Sequence, residues 1–158
     1  MEKKAVFAGS FDPFTLGHLE ILQRGLALFS EITVLVAFNP AKQGFLLVED
    51  KLAIVRMSVR DLPNVKVESW SGLTTEFLKQ YGTKYLLRGI RGSMDLPAEQ
   101  SLEWANQKLF PEVETVYLHS SLELSRVSSS LVREMLRHRA SVRGLVAPEA
   151  VSFLESKC

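Results

Sequence analysis

The stretch AVFAGSFDPFTLGH, residues 5–18, changes character twice within fourteen positions. The apolar run KAVFA (4–8) predicts a strand, and Gly9 ends it. Ser10, Asp12, Pro13 and Thr15 then predict a turn-rich loop, because each offers local hydrogen bonds or a preset φ. Gly17 permits close backbone approach, and His18 falls in the first turn of a helix. That helix follows from Leu19, Leu22, Leu26 and Phe29, which recur at i, i+3, i+7 and i+10. A helix start carries unpaired N–H groups and the positive end of its dipole, so it suits an anion. A histidine there adds a donor aimed at the same anion. A lone histidine in such a place more often caps its own loop. The ordered succession of strand, glycine, hydroxyl loop, Gly-His and helix favours a phosphate site.

Outward from this unit the same alternation continues. Strand-like runs lie at 32–38, 65–70, 84–88 and 114–119. Between them Leu52, Val55, Val59 and Leu62 repeat the helical spacing, TTEFLKQYG (74–82) reads as a short helix stopped by Gly82, and a longer helix covers roughly 98–108. Two helices close the chain near 128–138 and 148–156, the last with Pro148 in its first turn. Strand and helix alternating five times predict an α/β, Rossmann-like three-layer fold with a five-stranded parallel sheet, spanning residues 1–158 as a single domain. Ligands of such sheets bind beyond the carboxyl ends of the strands, where strand order reverses. The segments after each strand are therefore where chemistry is expected.

The bulk numbers fit that frame. With 158 residues, 46% hydrophobic and 23% charged, the chain has an ordinary globular composition. A net charge of +1 gives no general pull toward nucleic acid or anionic membrane. Cys158 is the one cysteine, which excludes an intrachain disulfide and suits a reducing compartment. The start, MEKKAVFAGSF, is too soon interrupted for a signal peptide, and apolar runs such as VLVAF (34–38) are far below a membrane span. A cytoplasmic protein is expected.

Three further strand ends carry candidate groups. Lys42 follows the second strand in NPAKQG; taken alone it reads as an exposed loop lysine. After the fourth strand RGIRG places Arg88 and Arg91 on a short glycine loop, where each guanidinium can grip phosphate oxygens in pairs. After the fifth, six serines lie between 120 and 130, and Ser128, Ser129 and Ser130 lead into a helix. One of them caps it; three exceed what a cap needs. Arg133, Arg137, Arg139 and Arg143 make the C-terminal region basic without interleaved aromatics, which reads as a solvated or subunit-facing surface. Neither G-x-x-x-x-G-K-[ST] nor G-x-G-x-x-G occurs, and no Cys/His cluster has zinc spacing. The convergence of cationic groups on one sheet edge points to a nucleoside triphosphate.

GSFDPFTLGH, with Thr15-Leu16-Gly17-His18, resembles the signature of the T/H-x-G-H nucleotidyltransferase superfamily. RGIRG and VSSSLVRE narrow the resemblance to the bacterial phosphopantetheine adenylyltransferases, from about residue 4 to the C-terminus. The resemblance implies transfer of AMP from ATP to 4′-phosphopantetheine, yielding dephospho-CoA and pyrophosphate. It also implies Mg2+ bound with ATP, a cytoplasmic homohexamer and inhibition by coenzyme A. Residue by residue it implies that Ser10 touches both substrates, that His18 stabilises the transition state, and that Lys42 and Arg88 hold the acceptor phosphate. Thr74 would line the pantetheine arm. Phe11, Gly89, Ile90, Arg91, Glu99, Leu124, Ser125, Arg126, Val127, Ser128, Ser129 and Ser130 would cradle ATP. Ser10 replaces the family's usual threonine, and Pro97, Ala98, Leu124 and Arg126 also depart from its pattern.

The chemistry asks little of a general base. A phosphate monoester is already largely anionic at neutral pH. The barrier lies in orientation and in charge crowding. Holding both reactants in line is worth roughly 7–11 kcal/mol, and a donor aimed at charge developing on the α-phosphate about 3–4 kcal/mol. His18, Lys42 and Arg91 are the expected catalytic groups. Two rival readings stay open. One is a related transferase acting on nicotinate mononucleotide, FMN or glycerol 3-phosphate; the other is a nucleotide-sensing module without turnover.

Overall fold

The computed structural model describes residues 2–158. Among them five parallel strands form one sheet in the order β3-β2-β1-β4-β5, with β1 at Lys4–Gly9, β2 at Glu31–Ala37, β3 at Val65–Trp70, β4 at Tyr85–Ile90 and β5 at Glu114–His119. The helices are α1 (Leu16–Gly25), α2 (Val48–Val59), α3 (Thr74–Tyr81), α4 (Leu96–Leu109), α5 (Ser129–Arg137) and α6 (Pro148–Ser156). The α/β, Rossmann-like three-layer fold expected from the alternation is present. Strands β1 and β2 are apolar nearly throughout because both of their faces are covered.

Side chains alternate across β1 and thereby build two cores. Ala5 and Phe7 join Leu22, Ile54, Leu136 and Leu154 from α1, α2, α5 and α6. Val6 and Ala8 join Leu35, Leu86, Phe77 and Leu78, the last two from α3. Each fully buried Leu, Ile or Phe contributes about 1.5–3 kcal/mol of burial. At the end of α1 a Cβ on Gly25 would stand 2.7 Å from Leu87 Cδ2 and 2.9 Å from Ile32 Cδ1. Glycine there lets the helix lie against the sheet.

Some element ends differ from expectation. α1 stops at Gly25, so Leu26 and Phe29 pack from the turn beyond it rather than from the helix. β4 continues to Ile90 because Arg88, Gly89 and Ile90 pair with Tyr117, Leu118 and His119 of β5. RGIRG is therefore mostly strand, with only Arg91 and Gly92 beyond it. Gly82 ends α3 in the left-handed conformation at φ 82°, and Pro148 opens α6, as the sequence suggests. Among the described residues no helix is long and apolar enough to cross a membrane.

Candidate active site at the sheet edge

Strand order reverses between β1 and β4, since the chain leaves β1 for β2 on one side while β4 lies on the other. Direct pairing of β1 with β4 covers only Ala5 to Phe7 against Tyr85 to Leu87. Past that point the strands part, and Arg88 Nη1 donates to the Ala8 carbonyl at 2.6 Å in place of the ladder. A cavity of about 450 Å3 opens there. Its wall includes Ser10, Phe11, His18, Arg88, Gly89, Ile90, Arg91, Glu99 and Val127 to Ser130. A second cavity of about 390 Å3 lies beyond β2, lined by Lys42, Lys51, Asp12 and, again, Ser10. Ser10 is thus shared by both.

His18 is held from three sides. The Thr15 backbone N–H donates to His18 Nδ1 at 3.0 Å, and the Thr15 hydroxyl lies 3.2 Å from the same nitrogen. In return His18 N donates to Thr15 Oγ1 at 3.4 Å, closing a reciprocal cap at the start of α1. An Nδ1 that accepts must be unprotonated, so in the neutral ring the proton sits on Nε2. Rings of Phe11 and Phe14 stand 5.0 and 5.3 Å from the imidazole, with Phe7 at 6.3 Å. Burial among them lowers the His18 pKa to about 4, assisted by the charges of Arg91 and Arg88. At neutral pH His18 is therefore a fixed neutral donor. Capping therefore engages Nδ1 alone and leaves Nε2–H as the remaining donor of the ring.

The anion-binding capacity of the helix starts is distributed differently from expectation. At α1 the Leu16 N–H donates to the Leu145 carbonyl at 2.9 Å, and the Thr15 and His18 N–H groups serve the cap. Gly17 N–H is the donor left over there among the described residues. At α5 Ser128 Oγ accepts from Leu131 N at 3.1 Å, Ser129 Oγ donates to the Pro13 carbonyl at 2.8 Å, and Ser130 Oγ accepts from Arg133 Nη2 at 3.0 Å. Only the Ser129 O–H is spent as a donor; Ser128 and Ser130 accept and keep their own O–H, so α5 opens with those two hydroxyls and the backbone N–H groups of Ser129 and Ser130.

Arg88 shares its face of β4 with Leu86, toward α4. Its Nε and Nη2 meet the two Glu99 oxygens at 2.8 and 2.7 Å. Arg91 is more exposed; its backbone N–H donates to Asp95 Oδ2 at 2.9 Å, with Nε 3.6 Å from the same oxygen. Gly89 is required by packing, since a Cβ there would stand 2.9 Å from Ile21 Cγ1 on α1.

Other expected residues lie apart from the main cavity. Lys42 is exposed on the loop after β2 and faces the second cavity. Thr74 opens α3 and lines neither cavity. Leu124, Ser125 and Arg126 form the turn before α5 outside the cavity wall, although the Leu124 and Val127 carbonyls stand within van der Waals reach of a Cβ on Gly17. Three residues escaped the sequence reading. Asp12 is buried, and its two oxygens accept from Phe45 N and Leu46 N at 2.8 and 2.9 Å, joining the two substrate-edge loops. Arg133, read as part of a solvated surface, lines the cavity and donates to the Asp12 carbonyl at 2.8 Å. Its spacing of three from Ser130 was the available signal. Lys51 is 5% exposed on the second cavity, with no carboxylate within 4.0 Å among the described residues.

Comparison with known proteins agrees with this geometry. The cytidylyltransferase-like family profile matches residues 6–135. A phosphopantetheine adenylyltransferase of Dictyoglomus turgidum is 43% identical over 154 residues, covering 98% of this chain and 96% of that protein. Another, from Thermosynechococcus vestitus, is 43% identical over 152 residues, covering 96% of this chain and 90% of that protein.

Proposed function

The chain belongs to the phosphopantetheine adenylyltransferases, within the cytidylyltransferase-like family, and on that premise we propose that it transfers the adenylyl group of ATP to 4′-phosphopantetheine, releasing pyrophosphate and forming dephospho-CoA. The observation that carries the mechanism is the neutral His18, whose one free donor stands in the crevice where β1 and β4 part.

The acceptor occupies the second cavity with its phosphate at Ser10, which both cavities share, between Lys42 of the second and Arg88 of the first; the nucleotide occupies the first. An oxygen of the acceptor phosphate attacks the α-phosphorus, forming a new P–O bond as the bond to the β-phosphate oxygen breaks. Pyrophosphate leaves with the electron pair, and no side chain is adenylylated on the way. No proton must be removed, because the second ionisation of a phosphate monoester lies near pH 6. His18 Nε2–H donates to the α-phosphate as charge gathers there, a contribution of about 3–4 kcal/mol for such a donor. A neutral ring suits this role, since its proton is kept as a hydrogen bond and is not lost to the phosphate. Arg91 and the α5 N–H groups receive the leaving pyrophosphate.

Magnesium is read as part of the substrate, entering on ATP. Both carboxylates of the cavity are committed to arginines, Glu99 to Arg88 and Asp95 to Arg91, and no group of three or more potential ligand side chains occurs among the described residues. Assembly as a homohexamer is supported by α4, which leaves Leu102, Trp104 and Leu109 exposed. A cytoplasmic setting and inhibition by coenzyme A, which shares the acceptor's pantetheine arm, complete the proposal.

The test is a panel of acceptors with MgATP, reading pyrophosphate. Release with 4′-phosphopantetheine is expected. Release only with nicotinate mononucleotide, FMN or glycerol 3-phosphate would move the assignment within the superfamily, and no release with any acceptor would leave a sensing module.

A further inference from the structure

The family resemblance assigns Glu99 to ATP, yet the structure commits that carboxylate elsewhere. Both of its oxygens accept from Arg88, at 2.8 and 2.7 Å, in a pair whose side chains are 22% and 14% exposed. Arg88 is gripped a third time by the Ala8 carbonyl at 2.6 Å. A guanidinium carries five N–H groups, so these three bonds leave one on each terminal nitrogen. Two such donors match two oxygens of a phosphate. Binding an oxyanion therefore does not require the ion pair to break.

We propose that Glu99 is a positioning residue for the acceptor: with the Ala8 carbonyl it fixes the Arg88 guanidinium so that its remaining donors meet the incoming phosphate monoester. Three further observations favour this over direct contact with ATP. Both Glu99 oxygens already accept from Arg88, whose charge would otherwise stand half-buried without a counterion. Arg88 stands where the β1–β4 ladder stops, so nothing else in the backbone fixes the guanidinium across the crevice. The turn of α4 that carries Glu99 is tied to β5, since the Tyr117 O–H donates to Glu103 Oε2 at 3.0 Å with the Glu99 carbonyl 3.3 Å from the same oxygen. The inference rests on Arg88 receiving the acceptor phosphate, as proposed above.

Steady-state kinetics of Glu99→Gln and Glu99→Asp test it, with melting temperatures measured alongside. For Glu99→Gln the KM for 4′-phosphopantetheine is expected to rise roughly tenfold, the loss typical of a charge-assisted hydrogen bond, while the KM for ATP stays within about twofold. Glu99→Asp should recover part of the loss. In an Arg88→Lys background Glu99→Gln should add little, because the group it positions is gone. A rise confined to the KM for ATP would overturn the proposal in favour of direct nucleotide contact. A fall in the acceptor KM would overturn it by showing that Glu99 competes with the phosphate. A lower melting temperature with both KM values unmoved would leave the pair purely structural. If the wild-type enzyme does not turn over 4′-phosphopantetheine, the functional reading fails first, independently of Glu99.

Discussion

The protonation of His18 can be read from stability. In the folded chain its pKa is lowered from 6.5 to about 4, first by burial and then by Arg91 and Arg88. Between those values the unfolded chain binds a proton that the folded chain refuses, so stability falls as pH falls from 6.5 toward 4 and the full penalty remains below that. A displacement from 6.5 to about 4 corresponds to about 3 kcal/mol, of which about 2 kcal/mol is lost by pH 5. Glu20 and Glu31 also stabilise through lowered pKa values, but their loss comes only below about pH 4.5. The window from pH 7.5 to 5 therefore isolates the histidine. The comparison is with His18→Gln, which retains an acceptor for the Thr15 N–H and a donor for the site, as glutamine does at the third position of a capping box. Urea unfolding at fixed protomer concentration should show the wild type losing about 2 kcal/mol more than the variant over that window. Activity is a poorer probe, since the acceptor phosphate titrates near pH 6 itself. Parallel stability curves would refute the reasoning: the folded imidazole would then protonate as readily as the unfolded one, and the fixed Nε2–H donor would be lost as an explanation.

Three other perturbations reach different parts of the site. Gly89→Ala places a Cβ 2.9 Å from Ile21 Cγ1, one turn from His18, and is expected to cost about 1–3 kcal/mol in thermal stability and to reduce turnover; unchanged melting and kinetics would discount the packing requirement. Ser128→Ala removes the cap on Leu131 N–H and is expected to lower stability by about 1 kcal/mol while raising the KM for ATP, because α5 frays where the proposal places the nucleotide phosphates. Trp104→Glu alters a side chain that is 63% exposed within its own chain, so the fold should persist while sedimentation velocity shows loss of the proposed hexamer. A wild-type protein that sediments as a monomer would remove the assembly proposal outright.

The degree to which the fold was legible follows from the range of the forces involved. Strands such as ITVLVAF and stops such as Gly82 depend on neighbours within a few residues, and they lie within one residue of where the sequence puts them. β4 ran two residues past its predicted end because pairing with β5, not local composition, decides where a strand stops. At the site, Thr15 and His18 are three apart, and their mutual cap could have been read as a capping box with histidine in place of Glu or Gln. Arg88 and Glu99 are eleven apart on different elements, and no periodicity joins them.

By itself the sequence determined the alternation of elements, the sheet edge where the cavity opens, and the chemical kinds of group gathered there. Those depend on side-chain period, turn chemistry and residue type, which are local properties of the chain. Tertiary structure decided what each group is free to do. The Ser129 O–H is spent on the Pro13 carbonyl while Ser128 and Ser130 keep theirs, Glu99 faces an arginine, and His18 is neutral with its proton on Nε2. Availability of a donor and the pKa of a ring are set by partners and burial, and those exist only once distant segments have packed together.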